Sequence, residues 1–132
     1  PFILKGIMTA RGAEKALEAG ASGIVVSNHG GRVLDHCPAT AEVLPEIADA
    51  VGGKMTIFVD GAIRSGMDIF KALALGADAV LIGRPFVTAV YGGGEEGVKL
   101  YVQKLKAELA DTMRMCGAHS LAEIDRSMIY RG

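Results

Sequence analysis

A chain of 132 residues, half of them hydrophobic and 22% charged, can bury a real core as one compact domain and is too apolar for a disordered tail. A formal net charge of −1, with no tryptophan and few other aromatics, gives no electrostatic or stacking case for nucleic acid or an anionic membrane as partner. No apolar run is long enough to cross a bilayer, since the most apolar region, Ala79 to Tyr91, is broken by Gly83-Arg84-Pro85. The two cysteines, Cys37 and Cys116, fall in no metal or redox spacing, and no signal peptide is expected, since these residues hold no charged start followed by a small-residue cleavage site. The expectation is two free thiols in a reducing cytoplasm.

In chain order the apolar runs predict strands at Phe2–Leu4, Ile24–Ser27, Thr56–Asp60 and Ala79–Ile82. Helices are expected between them at about Arg11–Ala19, Leu44–Val51 and Gly66–Leu75. Lys15 to Val26 and Lys71 to Ile82 are two copies of one unit: a helix end, a Gly-Ala turn and a strand without polar alternation, as a strand covered on both faces has. Ser65 with Asp68 makes a capping pair, and Pro45 is expected near the first turn of the second helix. A short helix near Phe86–Val90 follows the last strand. The glycine run 92–94 then separates it from a long helix, about Glu95–Cys116, ended by Gly117.

Strands alternating with helices of crossover length imply parallel strands and an α/β fold. Four βα units are too few to close an eight-stranded barrel, so they form half of one or a small open sheet. Polar residues recur after each strand: Lys5, Ser27 to Arg32, Asp60 to Arg64, and Gly83-Arg84. In parallel α/β folds that edge holds the ligand.

Asp60-Gly61-Ala62-Ile63-Arg64 and Gly83-Arg84-Pro85 have the composition of a phosphate site. Their glycines let backbone N–H groups approach an anion, a helix N-terminus follows Gly83, and Arg64 and Arg84 can donate charge-assisted bonds. The alternative is that both arginines pair with surface carboxylates. His29 and Arg32, spaced by Gly30 and Gly31, suit an anionic acid that loses a proton, the imidazole taking the proton and the guanidinium holding the carboxylate. The alternative is a histidine that bonds only a neighbouring backbone group. Lys5 stands at the ligand edge, where it is either solvated or offsets negative charge on a bound group. His36 and His119 read as surface or packing residues.

Leu4-Lys5-Gly6, Ser27-Asn28-His29-Gly30-Gly31-Arg32 with Leu34-Asp35, Asp60-Gly61 with Arg64, the run Phe70 to Ala77, and Ile82-Gly83-Arg84-Pro85 resemble the FMN-dependent α-hydroxy acid oxidases and dehydrogenases. Glycolate oxidase, lactate oxidase and flavocytochrome b2 belong to that family. The similarity runs the whole chain, to Ser120-Leu121-Ala122-Glu123-Ile124. It implies a TIM barrel with FMN at the C-terminal ends of the strands, and oxidation of a small 2-hydroxy acid such as lactate or glycolate to the 2-oxo acid. By this resemblance His29 is the base that activates the substrate and Arg32 the clamp on its carboxylate. Lys5 is the lysine near flavin N1, and Ser27 contacts the flavin. Asp60, Gly61, Arg64, Gly83 and Arg84 match the loops that hold the ribityl chain and phosphate.

The sequence departs from the family pattern at Ala62, where a second glycine is common and a methyl crowds the phosphate loop, at Ser65, where a second arginine is common, and at Val33. The resemblance covers only the C-terminal half-barrel, residues 1–132 as one unit of four βα repeats plus a long C-terminal helix. The first four βα units, with the family's substrate-binding tyrosines and the aspartate that orients the histidine, have no counterpart here. The partner expected beside the substrate is therefore the N-terminal half-barrel, or a second copy of the chain pairing through exposed edge strands. An isolated chain is expected to lack full activity, and a non-catalytic FMN- or phosphate-binding half-barrel is the alternative reading.

Overall fold

The structure, a computed structural model, describes residues 1–130. Four parallel strands lie in the order β1 (Ile3–Ile7), β2 (Gly23–Val26), β3 (Thr56–Asp60) and β4 (Ala79–Leu81). Helices α1 (Ala10–Glu18), α2 (Thr40–Val51) and α3 (Gly66–Ala74) make the crossovers, and α4 (Arg84–Cys116) follows β4. Strand order therefore equals chain order, the winding of a (β/α) barrel segment rather than of a doubly wound sheet.

The internal repeat becomes a structural one. After α1, Gly20 N–H donates to Leu17 O and Ala21 N–H to Ala16 O at 2.9 and 3.0 Å. After α3, Gly76 and Ala77 donate to Leu73 O and Ala72 O at 2.9 and 3.1 Å. Both are Schellman closures through a glycine in the left-handed region, φ +83° at Gly20 and +106° at Gly76, and each leads into the next strand.

The two sheet faces differ. Ile24, Val26, Ile57 and Val59 are buried with Leu44, Ile47 and Val51 of α2 and Ala13 and Ala16 of α1, forming the main core. A second cluster joins Phe70 and Ala74 of α3 to Leu109 and Met113 of α4 and to the tail through Ala118 and Ile124. By strand alternation and register, Ile3, Lys5, Val25, Phe58, Asp60 and Leu81 share the opposite face. Among the described residues neither core cluster includes Val25 or Phe58, and the edge residues of that face, Ile3 and Leu81, are exposed.

Several elements differ from the sequence reading. Strand β1 runs on to Ile7, so Lys5 lies within it, and a pairing irregularity between Lys5 and Ile7 accommodates Gly6 at φ +97°. Helix α2 starts four residues earlier than expected, because the Glu42 carboxylate accepts the Ala39 N–H at 2.7 Å and supports an earlier start. Pro45 consequently sits in the second turn rather than the first. The glycine run separates two helical arms of α4, as expected, but the first arm runs on through Gly92 and Gly93, and the break falls at Gly94, at φ +55° and ψ −137°. The arms fold against each other so closely that a Cβ at Gly97 would lie 2.2 Å from Ala89 O.

Candidate functional site

The C-terminal ends of β1, β2 and β3 bring Lys5, Ser27 and Asp60 together. The Lys5 ammonium donates to Ser27 Oγ at 2.8 Å and to Asp60 Oδ2 at 3.0 Å, and the Ser27 hydroxyl donates to the same carboxylate oxygen at 2.7 Å. Ser27 Oγ also accepts the His29 N–H at 3.2 Å, so this fully buried hydroxyl uses one donor and two acceptor positions, its whole capacity. Burial pushes the Asp60 carboxyl up. The Ser27 hydroxyl, the Lys5 ammonium and the Gly61 N–H outweigh it and hold the group below its ordinary 3.8. Lys5 is thus neither isolated nor merely solvated.

Past Ser27 the chain turns through a short 3-10 segment, His29–Gly31. Asn28 shapes it, its Oδ1 accepting the Gly30 N–H at 3.1 Å and its Nδ2 donating to Pro38 O at 3.2 Å. His29 itself has φ +57°, a left-handed conformation that turns it back toward β1. There the imidazole lies over Gly6, where a Cβ would meet His29 Cε1 at 2.6 Å. The glycine of Leu4-Lys5-Gly6 therefore makes room for the histidine ring. Arg32 Nε reaches only the His29 carbonyl, at a long 3.4 Å.

The loops after β3 and β4 meet this turn. His29, Arg32, Arg64 and Arg84 all line one cavity of about 170 Å³, with Asp60, Gly61 and Gly83 beside them. A Cβ at Gly30 would meet Arg84 Nη2 at 2.7 Å, so the glycine admits the guanidinium from across the site. Among the described residues no ion pair involves Arg32, Arg64 or Arg84, although lysines elsewhere pair with carboxylates. Among the described residues the surface-carboxylate alternative finds no partner for Arg64 or Arg84. A larger, mostly apolar cavity of about 860 Å³ between the arms of α4 also borders Arg64 and Arg84, but His29, Arg32 and Asp60 line only the smaller one.

The backbone around Arg64 is fully engaged. Asp68 Oδ2 accepts the Arg64 and Ser65 N–H groups, each at 3.0 Å, and Glu108 accepts the Gly66 N–H at 2.8 Å. Burial raises the Asp68 carboxyl, and these bonds, the Ser65 hydroxyl first, bring it below its ordinary value. Ala62 takes φ +60°, so the alanine expected to crowd this loop sits where a glycine would be unstrained. The start of α4 is different: Gly83 offers no capping side chain, Pro85 has no N–H, and the Phe86 and Val87 N–H groups donate to Gly83 O at 3.0 and 3.3 Å, which leaves the Arg84 N–H at that end for an anion.

Asn28, Tyr101 and Glu108 were not foreseen as site residues. Asn28 lies inside the histidine motif, and its Asx-type turn was the available signal. Tyr101 and Glu108 carry none, because they act across 37 and 42 residues. His36, paired loosely with Asp35 at 3.6 Å, and His119 are exposed, as expected. Cys37 and Cys116 are free thiols.

Residues 1–131 match the family model described as FMN-dependent dehydrogenase. A peroxisomal (S)-2-hydroxyacid oxidase of Arabidopsis thaliana is 49% identical over 129 residues, which are 98% of this chain and 36% of that protein. Glycolate oxidase 1 of Oryza sativa subsp. indica is 47% identical over 130 residues, 98% of this chain and 35% of that protein. A mandelate oxidase variant solved with a monooxide FMN adduct superposes with a TM-score of 0.92 at 48% identity, covering 96% of this chain and 40% of that one. The chain thus spans little more than a third of the length of the curated relatives it matches. The fold is a (β/α) part of the TIM barrel of these flavin oxidases.

The expected cytoplasmic location is corrected by these comparisons: relatives from Arabidopsis thaliana and Oryza sativa are named as peroxisomal. Free thiols distinguish reducing from oxidising surroundings and do not select among reducing compartments. FMN is the cofactor of the family, and the residues here fit its anionic end: two guanidinium groups without carboxylate partners, glycines that a Cβ would fill, and an uncapped helix start. Sheet winding, cavity chemistry and a match along residues 1–131 lead to one conclusion, that this chain belongs to the FMN-dependent dehydrogenase family.

Proposed function

We propose that this chain supplies the flavin-phosphate site and the substrate base of an enzyme that oxidises a small 2-hydroxy acid, such as glycolate or lactate, to the 2-oxo acid. The supporting observation is the convergence of His29, Arg32, Arg64 and Arg84 on one cavity, with no carboxylate among the described residues pairing any of the three guanidinium groups. Bound FMN would supply a two-electron acceptor. Arg64, Arg84, Gly83 and Gly61 would hold its phosphate and ribityl chain, with Asp60 and Ser27 beneath them. Lys5 is already anchored and brings positive charge to where negative charge develops on the reduced cofactor. Arg32 has the planar donor fork that a carboxylate needs, and His29 takes the substrate proton.

A second reading, a half-barrel that binds FMN or phosphate without catalysis of its own, is favoured by one observation. Among the described residues no side chain hydrogen-bonds the His29 imidazole, so its ring orientation must be set by the rest of the barrel or by a second copy. The test is flavin reduction by glycolate in the full-length protein containing this segment. His29→Gln should slow reduction by about 10²- to 10⁴-fold, the usual share of general base catalysis, while FMN stays bound. An unchanged rate would refute the role given to His29.

A further inference from the structure

Helix α4 reaches both candidate phosphate loops through one side chain. The Tyr101 hydroxyl donates to the Arg64 carbonyl at 2.9 Å. Arg64 N–H donates in turn to Asp68 Oδ2 at 3.0 Å. The backbone N–H and C=O of Arg64 are thus both committed, and its guanidinium is what remains to meet a ligand. The Tyr101 ring stands edge-on to Phe86, with centroids 5.0 Å apart and planes at 73°. Phe86 closes the first turn after the other loop, its N–H donating to Gly83 O at 3.0 Å.

The same face of α4 is pinned about two turns further on. Glu108 accepts the Gly66 N–H and pairs with Lys104 at 2.5 Å. Gly66 lies so close that a Cβ there would stand 2.2 Å from Leu109 N. Tyr101, Lys104 and Glu108, at i, i+3 and i+7, share a stripe of the helix. Burial pushes the Tyr101 phenol above its ordinary value, so it remains a donor through the neutral range.

We propose that Tyr101 is a positioning residue that locks the Arg64 and Arg84 loops to each other, and so sets the geometry of the flavin phosphate site from outside it. This rests on the reading of Arg64 and Arg84 as phosphate ligands. It goes further in making the long helix part of the site, through a side chain that touches no ligand.

The test replaces Tyr101 by phenylalanine, which keeps the ring on Phe86 and removes the bond to Arg64. Tyr91→Phe, on the other arm and exposed, serves as control. In the ligand-free chain, amide exchange at Arg64, Ser65 and Gly66 should accelerate about two- to tenfold, the factor for losing one neutral hydrogen bond, while amides of β2 do not change. FMN should bind about two- to tenfold more weakly to Tyr101→Phe, with the affinity for riboflavin, which lacks the phosphate, unchanged. Equal loss for both flavins, or loss for neither, would overturn the proposal, as would unchanged exchange at the loop. If the unsubstituted chain binds no FMN, the proposed function fails, and the exchange rates still decide whether Tyr101 locks the loop.

Discussion

At the ends of β1, β2 and β3, Lys5, Ser27 and Asp60 meet at 2.7, 2.8 and 3.0 Å, whereas the His29 imidazole, two residues past Ser27, has no hydrogen bond from a described side chain. The polar cluster and the Arg64 loop are built by bonds internal to the chain. The His29 side chain is placed by backbone shape, through the room that Gly6 leaves for its ring, and Arg32 is held only by a long bond from its Nε to the His29 carbonyl. Cofactor chemistry can be prepared within one set of βα units, because its ligands are backbone groups and fixed cations. Proton transfer requires an imidazole held in one tautomer and one orientation, which takes a further group.

Removing a cation proposed to hold the phosphate should break the comparison hardest. Arg84→Ala should weaken FMN binding about ten- to hundredfold, the range for a lost charge-assisted hydrogen bond, and leave riboflavin binding unaffected. Parallel titrations of the two flavins measure this. Gly6→Ala tests the other side. The new methyl would fall 2.6 Å from His29 Cε1 on a backbone at φ +97°, so the ring must move, at a cost of about 1–3 kcal/mol. The His29 Cε1 proton resonance should shift while those of the Asp60 loop do not.

Acid should sharpen the contrast further. The Asp60 carboxyl is held below its ordinary 3.8, so its stabilisation is present above that value and is lost as pH falls through the lower folded value. Denaturant melts at decreasing pH should show this loss, and Asp60→Asn should flatten it while lowering stability at neutral pH by about 1–2 kcal/mol. The smallest effect expected is a gain. Ala62→Gly relieves a left-handed alanine at φ +60° and should stabilise the fold by about 1 kcal/mol, read as a raised urea midpoint at unchanged slope.

Much of this was legible in the sequence because it is local. The Lys15–Val26 and Lys71–Ile82 copies gave two helix ends and two strands, and Thr56–Asp60 was placed to the residue. Capping by Ser65 and Asp68 followed from spacing alone. The misses share a cause. The early start of α2 depends on a Glu42 carboxylate turning back to Ala39, which Pro45 obscured. The first arm of α4 runs past the expected end near Val90, through Gly92 and Gly93, despite the low helix propensity of glycine. The pairing of Lys5 with Asp60 spans 55 residues, and no motif around an isolated lysine signals it.

The central claim is that the phosphate end of the flavin site is complete within these residues. It is tested most directly by titrating the purified chain with FMN and with riboflavin. The account predicts saturable binding of FMN and markedly weaker binding of riboflavin. No binding of FMN, or equal affinity for the two, would contradict it.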